Sequence, residues 1–192
     1  MDSSVRATEA PFDIDEHLPG HGKVIYLSLG SLGCMDLSLM QRLIDALATT
    51  EHRTIVSMGP LKDQMTLGAR MYGDQFLPQP SILPQCELLI THGGNNTVCE
   101  GFHFGLPMIG LPLFWNQYDN AQRLDEAGFE ARLPTYDWTE EQLVGTVNRL
   151  LDDDALRARM KAIAAEVQAG AGSSRGADLI ERLAITGEPV TS

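Results

Sequence analysis

The sequence predicts one α/β domain, Rossmann-like, with a parallel sheet of about six strands and helices on both faces. Three observations carry that expectation. Short apolar runs, among them Val24–Leu29, Thr54–Met58 and Leu88–Ile90, alternate with segments of helical spacing. Small-residue turns follow several of the runs: Gly30-Ser31-Leu32-Gly33, Gly59-Pro60 and Gly93-Gly94. A chain of 192 residues is long enough for one well-buried domain and too short for two large ones.

In chain order, residues 1–22 are polar, contain two prolines, and are expected to form an N-terminal linker or extension. The first strand is expected over Val24–Leu29. Asp36 can cap the helix behind it, which carries Leu39, Leu43, Ile44 and Leu47 at helical spacing. A second strand follows at Thr54–Met58, then an irregular stretch over 61–73, a short strand at Gln75–Leu77 and one helical turn at Ser81–Cys86. The stretch from 87 to 121 is expected to be a complete βαβ unit: strand, Gly93-Gly94 turn, helix, and a strand between Pro107 and Pro112. A helix should run to Gly128, and Phe129–Leu133 reads as the last strand. Thr139 with Gln142 fits a capping box before Leu143, Val147, Leu150 and Leu151. The acids at 152–154 suit another helix start, and a last helix is expected over Arg175–Leu183. The domain is expected to span residues 23–185, with a flexible tail over 186–192.

Hydrophobic content of 43% and charged content of 21% describe an ordinary globular protein. No apolar run approaches the roughly 20 residues of a membrane helix, and the N-terminus has no signal-peptide pattern. Cys34, Cys86 and Cys99 show no metal spacing and read as buried free thiols of a reducing cytoplasm. A net charge of −12 repels polyanions and argues against nucleic-acid binding, though local dipoles can still hold a small phosphate.

His92-Gly-Gly-Asn-Asn-Thr97 carries the strongest chemical signal. Two glycines lead into a helix whose first N–H groups and dipole can hold an anion, with His92 and Thr97 as added donors. The competing reading is a capping box from Thr97 to Glu100, which accounts for those two residues but not for His92. Ser28-Leu-Gly-Ser31-Leu-Gly33 is a weaker signal: a phosphate loop is one reading, but taken alone a plain strand–helix turn is the better one. Phe76 is either a core aromatic or a ring that stacks on a base. Asn116 and Gln117 either recognise a hydroxyl-rich ligand or cap the next helix.

Taken in order and spacing, Ser28-Leu-Gly-Ser31, Phe76-Leu-Pro-Gln79, His92-Gly-Gly-Asn-Asn-Thr-Val-Cys-Glu100, Gly105-Leu-Pro107 and Pro112-Leu-Phe-Trp-Asn-Gln117 resemble the C-terminal, donor-binding domain of the family 1 UDP-glycosyltransferases, with the GT-B fold. The resemblance covers about residues 23 to 185. It implies that Gly30 and Ser31 lie near the donor phosphates and that Phe76 stacks on the base. Leu77 would meet the base through its backbone, with Gln79 near base or ribose. It further implies that His92, Gly94, Asn96 and Thr97 hold the diphosphate, that Glu100 binds ribose hydroxyls, and that Asn116 and Gln117 grip the sugar. Two positions depart from the family pattern. Phe76 stands where Trp is frequent, which leaves UDP against TDP open, and Asn116 stands where an acid is usual.

The resemblance implies the donor-binding half of an inverting, metal-independent hexosyltransferase that takes a UDP- or TDP-sugar and needs no cofactor. The acceptor half and its histidine base would come in cis or from a partner chain, so the chain is expected to be inactive alone. The alternative is a stand-alone nucleotide-sugar-binding module.

Overall fold

A computed structural model describes residue 5, residues 10–170 and residues 172–187. Six strands form a single sheet: β1 (Val24–Ser28), β2 (Arg53–Ser57), β3 (Met71–Asp74), β4 (Leu88–Thr91), β5 (Met108–Gly110) and β6 (Glu130–Arg132). Their order across the sheet is β3-β2-β1-β4-β5-β6, and every pairing is parallel. The expected Rossmann-like α/β architecture is therefore present. Strands covered on both faces must be apolar throughout, and Ile25, Leu27, Leu88, Leu89, Ile90, Met108 and Ile109 have no exposed surface.

The helices are α1 (Ile14–His17), α2 (Gly30–Gly33), α3 (Leu37–Ala48), α4 (Gln79–Ile82), α5 (Asn95–Phe104), α6 (Gln117–Glu126), α7 (Glu140–Asp152), α8 (Asp154–Ala169) and α9 (Gly172–Thr186). Right-handed crossovers run outward from β1 in one direction and from β4 in the other, which puts α3 and α5 on opposite faces. α3 lies against α7, and α5 against α8. Asp36 caps α3 by accepting the Leu39 N–H at 3.0 Å. The α7 capping box forms as expected between Thr139 and Gln142, and Asp153 caps α8 through the Leu156 N–H. Leu143, Val147, Leu150 and Leu151 all face the core.

Four local expectations are corrected. The strand expected at Gln75–Leu77 lies earlier, at Met71–Asp74, because Thr54 to Ser57 of β2 pair with those residues. It is a half-buried edge strand containing Gly73, so its apolar signal is weak. The stretch expected to be irregular over 61–73 contains a 3-10 turn at Gly59–Gln64 as well as most of that strand. The single helical turn at Ser81–Cys86 is two turns, α4 and a 3-10 turn at Leu83–Gln85. Of the three thiols expected to be buried, Cys34 and Cys86 are, while Cys99 is exposed on α5.

Part of the segment expected to be a linker rests on the domain. Ile14 and Leu18 join the core, and the Gln85 side chain meets the Ile14 N–H and the Phe12 carbonyl. His17 stacks on Phe12 at 4.2 Å and meets the edge of Tyr72 from β3. The tail expected over 186–192 lies outside the described residues beyond position 187. Among the described residues, no helix is long and apolar enough to cross a membrane.

Candidate functional site

The strand order reverses between β1 and β4, so a crevice opens beyond their carboxyl ends, where open parallel sheets bind ligands. A cleft of about 480 Å³ occupies that place. Ser28 and Thr91 are paired in register at its base.

Two loops meet at the centre of the cleft through one imidazole. The chain leaves β1 into Gly30, at φ +71°, and leaves β4 through His92 into Gly93 and Gly94. The His92 ring lies between the two loops. A Cβ at Gly30 would come within 2.7 Å of its Cε1, and one at Gly94 within 2.6 Å of its Nε2. Only bare backbone fits on either side. Burial pushes the His92 pKa below its ordinary value, with a contact to the Ser28 backbone acting in the opposite sense. The ring is therefore neutral near pH 7 and offers a single N–H donor. Thr91 Oγ1 lies 3.5 Å from His92 Nδ1 and accepts the Gly93 N–H at 3.2 Å.

Gly94 opens α5 without a side-chain cap, so the first N–H groups of this ten-residue helix have no internal partner. Free N–H groups and a helix dipole of this kind are suited to an anion, and they lie beside His92. The capping-box reading of Thr97 and Glu100 fails, because Thr97 sits inside the first turn and the carboxyl is engaged elsewhere. Glu100, only 4% exposed, accepts a hydrogen bond from Gln79 Nε2, which also approaches Thr97 Oγ1 at 3.5 Å. This contact joins the start of α4 to α5.

At one end of the cleft stand Phe76 and Leu77. Phe76 is 80% exposed, which rules out a core aromatic and leaves an open ring face. Leu77 is half-buried. The floor there joins Ser28 of the expected loop to two hydroxyls that the sequence did not reveal: Tyr26 and Ser57 meet it from adjacent strands. Burial pushes the Tyr26 phenol well above its ordinary pKa, so it stays a hydroxyl.

At the other end, an amide cluster forms around Asn95, which sequence reasoning also passed over. Its Oδ1 accepts from Asn120 Nδ2 at 2.7 Å and from Asn116 Nδ2 at 3.1 Å. Asn120 Nδ2 also donates to the Gly93 carbonyl at 2.9 Å. Asn116 lines the cleft and Gln117 does not. Gln117 is 5% exposed, and its Oε1 accepts the N–H groups of Leu113 and Phe114 at 3.0 and 3.1 Å. That oxygen shapes the loop after β5. The structure thus brings Gly30, Ser31, Phe76, Leu77, Gln79, His92, Gly94, Asn96, Thr97, Glu100 and Asn116 into one cleft, whose lining does not include Gln117.

Comparison with known proteins fits this geometry. The family model described as "UDP-glucoronosyl and UDP-glucosyl transferase" matches residues 7–164. The chain belongs to that glycosyltransferase family. Its relatives include zeaxanthin glucosyltransferase of Pantoea ananas, 31% identical over 88% of this chain and 40% of that one. Human UDP-glucuronosyltransferase 2B28 is 29% identical over 79% of this chain and 29% of its own length. Among solved structures, the glycosyltransferase of kitacinnamycin superposes with a TM-score of 0.83 at 26% identity, covering 94% of this chain and 47% of that one. The glycosyltransferase VinC, solved in complex with dTDP, shares the fold with a TM-score of 0.69 at 22% identity, over 83% of this chain and 41% of its own. The chain spans less than half the length of each of these relatives.

Proposed function

We propose that this domain binds the nucleoside-diphosphate-sugar donor of an inverting, metal-independent glycosyltransferase, a UDP- or TDP-sugar. The uncapped N-terminus of α5 beside His92 carries the reading. It gives a diphosphate backbone N–H donors, a dipole and a neutral ring N–H. The exposed Phe76 ring stacks on the base, Glu100 with Gln79 meets the ribose, and Asn116 meets the sugar.

The implied step is a direct displacement. An acceptor hydroxyl oxygen attacks the anomeric carbon, the bond from that carbon to the β-phosphate oxygen breaks, and the diphosphate leaves with the electron pair. The acceptor's proton passes to a base on an acceptor half. The donors at His92 and α5 stabilise the charge that builds on the leaving oxygen. No residue of this cleft is assigned as the base, so the reading makes the isolated chain a binder and the enzyme a two-part assembly, in cis or in trans.

Calorimetry with UDP, dTDP and uridine tests the proposal. His92→Ala should weaken the diphosphates about tenfold or more, on the scale of a charge-assisted hydrogen bond, and leave uridine nearly unchanged. Equal loss for all three removes the phosphate role. A second reading, a binding module with no catalytic assembly, predicts no turnover even when an acceptor half is supplied.

A further inference from the structure

We propose that Trp115 is a contact residue for the transferred sugar, its indole covering the C–H face of the ring beyond the diphosphate. This rests on the nucleotide-sugar reading above and extends it to a residue outside the cleft lining. The first observation is backbone conformation. Trp115 has φ 56°, and among the described residues no other side-chain-bearing residue has positive φ. A bulky residue in that region is strained and persists only where its surroundings impose it. The imposing group is the buried Gln117, whose Oε1 binds the N–H groups of Leu113 and Phe114 and so fixes the turn from which Trp115 projects.

The second observation is exposure. The indole is 78% exposed, and it meets the Phe114 ring edge-on at 4.8 Å and 71°. A tryptophan held outward by a buried amide leaves a large apolar surface in water. The third is position. Asn116 lines the cleft and is tied to Asn95, the first residue of α5. A Cβ at Gly93 would meet the Gln117 carbonyl at 3.3 Å, so this loop leans directly on the phosphate turn. On the nucleotide-sugar reading, a group attached to the outer phosphate emerges beside Asn116, the chain neighbour of Trp115. The amide suits the hydroxyls of a sugar and the ring its C–H face.

The test uses the 192-residue chain with UDP, UDP-glucose, dTDP and dTDP-glucose. Trp115→Ala should weaken the nucleotide sugar about tenfold, a typical aromatic contribution, and leave the free nucleotide within about twofold. Trp115→Phe should restore most of the loss. Fluorescence adds a direct readout. The chain has two tryptophans and Trp138 is buried, so emission quenched by iodide reports Trp115. The nucleotide sugar should protect it and the nucleotide should not. Equal weakening of nucleotide and nucleotide sugar, unchanged sugar affinity, or absence of protection overturns the role of Trp115 while leaving nucleotide binding intact. Failure of the unaltered chain to bind any of the four ligands overturns the nucleotide-sugar reading and this inference with it.

Discussion

Replacing Glu130 with glutamine should flatten the pH dependence of folding between pH 5 and pH 8. Glu130 opens β6, is 5% exposed, and neither carboxyl oxygen has a hydrogen-bond partner among the described residues. It lies over Gly110 of β5, where even a methyl group would collide with it. Burial, with a smaller push from Asp125 and an opposing pull from Arg132, raises its pKa from 4.5 to about 8. The unfolded chain therefore releases this proton near 4.5, whereas the folded chain holds it to about 8. Between those values the folded state binds more protons, so stability falls as pH rises. Below 4.5 the contribution is complete, and above 8 the loss levels off. Integrated from pH 5 to pH 8, the loss is roughly 3 to 4 kcal/mol, a sizeable share of the 5–15 kcal/mol that holds a typical domain. The assay is urea unfolding of both proteins at several pH values. Glutamine has nearly the same shape and does not titrate, so other groups cancel in the difference. The stability gap should move in favour of Glu130→Gln by about 3 kcal/mol across that range. Parallel curves for the two proteins would refute the buried, neutral carboxyl.

Gly30→Ala should abolish UDP binding and cost roughly 1–3 kcal/mol of stability, because the position needs positive φ and the new methyl strikes His92. Urea unfolding and calorimetry on the same sample check both effects, and unimpaired UDP affinity would show that His92 can move away. Phe76→Ala should weaken uridine about tenfold, while Phe76→Trp should tighten it, since a larger ring adds stacked area. The ring is 80% exposed, so neither change should alter the thermal midpoint measurably.

Much of this arrangement is legible in the chain. The apolar runs of β1 and β4 are fully buried, that of β2 is buried at its three central residues, and the caps at Asp36 and Thr139 act on neighbours three residues away. Signals of that kind are local and survive in sequence. The edge strand β3 is not legible, because half-burial and Gly73 dilute its pattern. The hydroxyls of Tyr26, Ser28 and Ser57 share a floor only because β1 and β2 pair in register. Asn95 escaped notice because its role comes from Asn116 and Asn120, more than twenty residues away. Gln117 has a further role that its motif did not suggest: its Oε1 holds the backbone of its own loop, through partners set by the turn.

The reversal of strand order at β1 and β4 has a consequence for how such a domain can change over generations. On the proposed function, the base end of the cleft is built by residues up to Gln79, and the sugar end by Asn95 and Asn116. Within the cleft, the packing of the His92 ring on Gly30 and the contacts from Gln79 to Glu100 and Thr97 bridge the two. On the proposed function, a crossover between Gln85 and Leu88 would exchange one nucleobase preference for another and leave the sugar wall intact. Drift in either segment can then be tested by selection almost independently of the other, which suits a scaffold whose relatives carry many different sugars to many different acceptors.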